Sequence, residues 1–460
     1  MRTLNQQKSS SKSQIISNTP RVSQKIYNHS PETLLTIDDP PKIENIYNIP
    51  VNNITKSTQK FKGRMITYLT HGFYIYPAKF IPQIPQFCIK QFSQPYDTIL
   101  DPFCGSGSTL LEAQLLHRNG FGIDINPLAQ LISKVKTTPL DLRQFSEEYS
   151  SIEKFLNGAP KKFKLDKEPL PYFPNLSYWF TPAVQQDLRK LQHHIFHIDN
   201  IPIRNLLLLI LTSIVRNVSL ADNDQLHPAR TKFSKEKEGK KIQPFRNYRK
   251  SLRSHAKIIE AYSQYDFTDV KIQLLEQDAT HISCPAKVDL AITSPPYVNA
   301  LDYVRIHKLE GFWAGLLQAE EIQSLHRQFI GTENVYKDYY YDLPEFSNKE
   351  LNQVIAKIAK FDRKRAGIVT LYFMQMRKNL QEVFSQLRQE GHYCIVIGSN
   401  NIRNINIPTP KIFIEFAENE IGYKNVINYS YDIINKRLKI PRARHGGSIK
   451  KEWILVLQKL

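Results

Sequence analysis

Apolar positions along the chain switch between two periods. Short β-type runs at Thr98-Ile99-Leu100-Asp101, Gly120 to Asp124, Val270 to Leu274, Asp289 to Thr293 and Tyr393 to Gly398 predict strands, the last of them buried. Between them apolar residues recur every three to four positions. That spacing predicts helices over Pro85–Phe92, Ser108–Leu116 (Leu110, Leu111, Ala113, Leu115) and about 367–389, with Asn126-Pro127 opening another. Two late β-type runs, near 426–432 and at Trp453 to Leu457, predict an antiparallel hairpin at the sheet edge. The rhythm breaks over 135–265. There, helical spacing at Gln185–Ile195 and Ile203–Val218 gives way to a basic run. The pattern predicts an α/β fold: a doubly wound, mostly parallel sheet with an antiparallel edge and a helical insertion. Leu206 to Leu211, the longest apolar stretch, lies between Arg204 and Arg216. It is too short to cross a bilayer and reads as part of a buried helix, so no membrane is expected.

Charge sharpens this picture. Lys and Arg number 62 against 43 Asp and Glu, a net +19 over 460 residues. The excess is clustered: residues 230–257 hold Arg230, Lys232, Lys235, Lys237, Lys240, Lys241, Arg246, Arg249, Lys250, Arg253 and Lys257 against Glu236 and Glu238. Phe233, Phe245 and Tyr248 are interleaved with them. Clustered charge of this kind is the footprint of a polyanion-binding surface, although a charged solvated loop has the same composition. Residues 1–58 are rich in Ser, Asn, Gln and Lys and read as a basic flexible arm. The four cysteines are far apart and form no metal-type pair, which fits reduced thiols and a cytoplasmic setting. His193 and His197 have the spacing of a metal pair on one helix, but no third ligand is evident beyond Asp199, and histidines at a helix end account for them. No metal is expected.

Two segments carry chemistry. Asp101-Pro102-Phe103-Cys104-Gly105-Ser106-Gly107 places two glycines where a backbone must turn tightly against a ligand at a helix start. It lacks the Lys-Ser/Thr pair of a phosphate loop, which argues against ATP. Asp124, 17 residues past Gly107, is placed either to accept ribose hydroxyls or to cap the next helix. The second segment is Thr293-Ser294-Pro295-Pro296-Tyr297. Two prolines make a rigid turn without N–H donors, so it presents carbonyls, one hydroxyl and an aromatic ring. That is a pocket for a flat molecule carrying an amino group. Carbon-5 cytosine chemistry needs a thiolate, typically in a Pro-Cys context. Here Cys284 precedes Pro285 and lies outside the motif.

Asp101–Ser108 with Gly122-Ile123-Asp124-Ile125-Asn126-Pro127-Leu128-Ala129 resembles the cofactor site of S-adenosylmethionine-dependent DNA amino-methyltransferases, and Thr293–Tyr297 resembles their catalytic motif. The Ser form looks closest to the cytosine-N4 members; the adenine-N6 members more often carry Asp at the place of Ser294. Tyr76-Pro77-Ala78-Lys79-Phe80-Ile81-Pro82-Gln83 is similar to the segment that precedes the cofactor motif. The resemblance covers about 65–135 and 270–310, and 365–460 loosely. It implies a Rossmann-like methyltransferase fold whose cofactor half is 59–135 and whose catalytic half is 266–460. The insertion 136–265 would carry target recognition. Asp101, Phe103, Gly105, Gly107, Asp124, Lys79 and Phe80 would surround the cofactor, and Asp278, with Glu276 as competitor, would face the adenine amine. Ser294 and the carbonyl of Pro295, stiffened by Pro296, would accept the hydrogens of the target amine, and Tyr297 would stack on the flipped base.

The expected activity is methyl transfer from S-adenosylmethionine to cytosine N4 in double-stranded DNA, within a prokaryotic, DNA-associated modification system that can include a cognate restriction endonuclease. Adenine-N6 transfer and transfer to an RNA base amine are the rivals. A nucleic-acid-binding module on a degenerate methyltransferase fold is a third, opposed by the intact Gly105, Gly107, Asp124, Ser294 and Tyr297.

Overall fold

The computed structural model describes residues 66–158, 173–231, 234, 237, 241–298, 301–433 and 451–460. The expected arm, residues 1–58, and Lys232, Phe233, Lys235, Glu236, Glu238 and Lys240 of the basic run lie outside them. The strands are β1 (Thr98–Asp101), β2 (Asn119–Ile123), β3 (Ile272–Leu275), β4 (Val288–Thr293), β5 (Leu387–Gly398), β6 (Asn400–Ile402), β7 (Ile405–Ile407), β8 (Tyr423–Asp432) and β9 (Lys451–Lys459). The principal helices are α1 (Gln83–Phe92), α2 (Ser108–Leu115), α3 (Pro127–Thr137), α4 (Leu142–Gly158), α5 (Pro182–Phe196), α6 (Ile201–Val218), α7 (Pro244–Tyr262), α8 (Tyr303–Trp313), α9 (Ile322–Gln328), α10 (Lys349–Ala359), α11 (Arg363–Gln386) and α12 (Thr409–Phe416).

Seven strands form one sheet in the order β3-β2-β1-β4-β5-β9-β8. The first five are parallel, and β9 runs antiparallel to both β5 and β8. The expected hairpin therefore exists, but β9 sits inside the sheet and only β8 forms the edge. Strand order reverses between β1 and β4, so the carboxyl ends of these two strands flank the crevice where a doubly wound fold binds ligands.

Alternate strand residues feed two cores, as the apolar runs require. Ile99, Ile292 and Val396 pack with Phe87 and Ile89 of α1. Leu100, Ala291 and Ile395 pack on the other face with residues of α10, α11 and α12. A third core belongs to the helices. Leu188, Leu209, Tyr248 and Trp313 share one cluster with Phe73, Tyr74 and Tyr76. The insertion is thus packed into the same core as the segment leading to α1 and the glycine loop. Helix α6 has the length and apolarity of a membrane span, but it is packed within this cluster and 61% of its residues are buried.

Two expectations are corrected here. The helix expected to reach residue 389 stops at Gln386, and β5 begins at Leu387. Arg388, Gln389 and Glu390 are exposed, so that stretch has no apolar period to mark the change. The basic run is not an open loop where it is described: from Pro244 it is α7, amphipathic, with Tyr248, Leu252, His255 and Ile259 buried.

Candidate active site

Parallel pairing brings four turns to one edge of the sheet: the glycine loop after β1, Asp124 after β2, Asp278 after β3 and Ser294–Tyr297 after β4. Because β9 is antiparallel and pairs Gly398 with Glu452, its first residues arrive at the same edge.

The glycine loop is held from three sides. Gly105 and Gly107 have φ of 49° and 72°, a region costly for residues with a Cβ. A Cβ on Gly107 would also stand 2.7 Å from Ser133 Oγ, so α3 packs directly against the loop. Ser133 Oγ donates to the Gly105 carbonyl at 2.8 Å. Asp101, buried at the end of β1, accepts from Phe103 N–H (3.1 Å) and from Thr293 Oγ1 (2.7 Å) through one oxygen. This last bond joins the glycine loop to the strand that leads to Ser294.

Asp124 accepts from Gly105 N–H at 2.9 Å and from Asn126 N–H at 2.8 Å. It does not cap α3: that cap is Asn126, whose side chain accepts from Leu128 N–H. A carboxylate closing on the glycine loop, with a neighbour doing the capping, keeps lone pairs for a ligand. Burial pushes the carboxyls of Asp101 and Asp124 up to about 6, against the hydrogen bonds each accepts.

Tyr76 closes the loop from above. Its Cε1 would lie 3.6 Å from a Cβ on Gly105, and its hydroxyl accepts from Asn126 Nδ2 at 3.1 Å. The Tyr76 ring stacks on Tyr303 (5.5 Å between centroids, 6° between planes) and on His307 (5.2 Å, 16°). Tyr303 and His307 are one turn apart on α8, the helix that follows the Ser-Pro-Pro-Tyr turn.

In that turn Pro295 is buried, while Ser294, Pro296 and Tyr297 are half-buried. Tyr297 Oη donates to Glu452 Oε1 at 2.6 Å, and Tyr431 Oη donates to the other oxygen of Glu452. Burial, then the Glu452 charge, holds the Tyr297 phenol well above its usual range, so it stays a donor. Asn400 Nδ2 donates to the Val298 carbonyl just beyond the turn, leaving its own buried Oδ1 without a partner.

Other expected residues stand further out. Asp278 is exposed and accepts from Thr280 N–H (2.7 Å) and Oγ1 (2.8 Å). Lys79 Nζ donates to the His71 carbonyl at 3.4 Å, Phe80 packs on the α1 core, and Phe103 packs on the core of the opposite face. Among the described residues no group of three or more His, Cys, Asp or Glu side chains is placed to hold a metal ion. His197 Nδ1 instead meets the His193 carbonyl at 2.8 Å, and His194 stacks on Phe155. The short turn Lys337–Tyr340 is seated by packing: a Cβ on Gly367 of α11 would stand 2.3 Å from the Tyr339 carbonyl oxygen. Motif reading missed Glu452, Asn400 and Tyr303. Only the Asn-Pro pair at 126–127 signalled its own role, as a cap.

The sheet order, glycine loop, acid after β2 and proline turn after β4 define a Rossmann-like methyltransferase whose methyl donor is S-adenosylmethionine. The residues fit that donor: a left-handed glycine loop lies against a half-buried carboxylate, and the buried Ser108 Oγ at the start of α2 has no hydrogen-bond partner. A DNA methylase family profile matches residues 3–134, beginning within the segment expected to be an arm. The type II methyltransferase M.MvaI of Kocuria varians is 24% identical over 416 residues, covering 85% of this chain and 91% of its own. M.BsoBI of Geobacillus stearothermophilus is 24% identical, covering 82% and 84%. The likeness to M.MjaII of Methanocaldococcus jannaschii is higher, 39%, but spans 77 residues, 17% of this chain and 14% of that one. Among solved structures, TrmN from Thermus thermophilus has 11% identity and a TM-score of 0.26, covering 83% of this chain and 49% of its own. An rRNA-methylase described as putative from Clostridium thermocellum has 10% and 0.29, covering 82% and 96%. Scores that low carry no weight beside the sheet order itself. The chain is thus similar to DNA methylases over its first part and to type II DNA methyltransferases over most of its length.

Proposed function

We propose that the protein is a type II DNA methyltransferase that transfers a methyl group to N4 of cytosine within a specific duplex sequence. The observation that carries this reading is the hydroxyl of Ser294, at the carboxyl end of β4, in a turn tied through Thr293 and Asp101 to the glycine loop. S-adenosylmethionine supplies an electrophilic methyl group. Gly105 and Gly107 would let the backbone approach its methionine end, beside Asp101 at the start of the loop. Asp124 would accept the ribose hydroxyls, and Asp278, exposed after β3, would receive the adenine amine. Ser294 Oγ and the Pro295 carbonyl accept the two amine hydrogens of the flipped cytosine. That aligns the nitrogen lone pair and spreads the positive charge as nitrogen becomes tetrahedral. Tyr297 offers its ring face to the base, which must leave the duplex to reach the turn. The sister activity of the family, adenine-N6 transfer, differs at the base. Labelled methyl transfer to unmethylated duplex DNA and to RNA, followed by nucleoside analysis, is expected to yield N4-methylcytidine from DNA alone. N6-methyladenosine, or labelled RNA, overturns the reading.

Residues 136–265 are proposed to carry target recognition, with α7 on the phosphates. Arg246, Lys250, Arg253 and Lys257 are exposed at spacings of four, three and four, one face of the helix. Arg249 is half-buried and bound to Glu153 (2.9 Å) and Asn157 (2.8 Å), and Arg253 leans on the same Glu153 (3.5 Å). Arg246, Lys250 and Lys257 make no ion pair with a described residue. Changing these three to Ala is expected to weaken DNA binding and to flatten its log–log salt slope by about 0.9 for each phosphate no longer neutralised. Cofactor affinity and base choice should hold, because a cation on a phosphate positions the duplex without reading it. An unchanged slope takes α7 off the DNA.

A further inference from the structure

Tyr297 has one phenolic proton, and it is committed to Glu452 at 2.6 Å. Glu452 lies 155 residues further on, in the second residue of β9, and reaches the turn because Gly398 of β5 pairs with it in register. Its other oxygen accepts from Tyr431, its cross-strand partner on β8, which is buried. The carboxylate makes no ion pair with a described cation. It therefore bridges two phenols, and the strand pairing of one fixes the direction in which it holds the other. Charge-assisted O–H···O bonds are short and directional. A tyrosine ring has two free torsions: a tether at Oη fixes the first by position, and it restrains the second because the phenolic O–H prefers to lie in the ring plane, so the direction of its acceptor sets that plane.

We propose that Glu452 is a positioning residue for methyl transfer: bridging Tyr297 and Tyr431, its carboxylate holds the Tyr297 ring in the plane against which the target base stacks. This rests on the reading of Tyr297 as the stacking face of the pocket. The Asn400 bond to the Val298 carbonyl supports it from the backbone side, fixing the chain where it leaves the turn. A ring that acts by stacking alone tolerates loss of its hydroxyl. A ring that must be aimed by Glu452 does not, and this difference separates the proposal from simple stacking. It also separates it from a bridge that merely ties the β8–β9 pair to the loop, which would lower melting temperature and leave turnover untouched.

The test is a mutant cycle in the full-length chain on unmethylated genomic DNA, read as kcat, KM for DNA, cofactor Kd and melting temperature. Tyr297→Phe and Glu452→Ala are each expected to lower kcat by about tenfold, the scale of one charged hydrogen bond. The double variant should show the same tenfold loss, not a hundredfold one, because both changes remove one tether. Glu452→Gln keeps a carbonyl acceptor and should recover most of the activity, and cofactor Kd should not move in any variant. Tyr297→Phe near full activity, additive effects in the double variant, or a Glu452→Gln as impaired as Glu452→Ala each overturn the proposal. Should Glu452→Ala fail to fold, Tyr297→Phe and Glu452→Gln decide alone. Tyr297→Ala separates the two levels of inference. Retained turnover there sinks the stacking reading itself, whereas abolished turnover beside a normal Tyr297→Phe sinks only the role of Glu452.

Discussion

Ser294→Ala is expected to lower kcat by about 10²–10³-fold, the scale seen when one preorganised hydrogen-bonding partner of a transition state is removed. Its hydroxyl is the one side-chain oxygen in the Ser-Pro-Pro-Tyr turn besides the phenol, and the phenol is engaged by Glu452. The Pro295 carbonyl already serves the second amine hydrogen, so no other side chain of the turn replaces the missing acceptor. Cofactor affinity should be unaffected, since the link from β4 to the glycine loop runs through Thr293 and not Ser294. A pre-steady-state assay that separates methyl transfer from product release is the decisive measurement. A variant with wild-type transfer rate removes Ser294 from amine alignment and passes that role to the Pro295 carbonyl alone.

Asp124→Ala should act in the opposite way, weakening cofactor binding by about 1.5–3 kcal/mol, the worth of hydrogen bonds to a charged group. The pH dependence gives a second signature. Burial raises the Asp124 carboxyl from 3.8 to about 6, and the ionised form is the one that accepts two ribose hydroxyls. Affinity should therefore be full above pH 6 and fall as pH drops below it, by up to about tenfold per unit for one required deprotonation. Folding has the other sign. A carboxyl raised in the native state favours the protonated fold, so its contribution is present in acid and is lost as pH rises from 3.8 to about 6. Weaker binding at pH 5 thus cannot be ascribed to acid unfolding driven by this group. Asp101 titrates in the same window, which makes Asp124→Asn the necessary control in calorimetry. A titration as steep in Asp124→Asn as in the parent would move the effect to Asp101.

The β-type runs announced all five parallel strands, and β1 and β4 came within a residue of their observed bounds; the central strands are apolar because both their faces are buried, whereas the edge strand β3 alternates and is mostly half-buried. Gly105 and Gly107 were legible for a local reason as well: both occupy backbone angles that other residues avoid. Asp124 stands between two roles in the sequence because an acid after a strand suits either, and only the hydrogen bonds of Asn126 and Gly105 separate them. The basic run had the composition of an open loop. Its helical burial of Tyr248, Leu252, His255 and Ile259 becomes visible only once α6 lies beside it, with Tyr248 Oη donating to the Leu207 carbonyl at 3.1 Å.

The sequence by itself determined the strands, the glycine loop, the proline turn and so the class of chemistry, because each depends on residues adjacent in the chain: an apolar period, a φ that glycine adopts without a Cβ penalty, a φ that proline imposes. Tertiary structure alone decided that β9 enters between β5 and β8, that the inserted helices share a core with Phe73 to Tyr76, and that Glu452 reaches Tyr297. Those outcomes depend on pairings between residues far apart in the chain, and no local period, turn or spacing records which distant strand a given edge will choose.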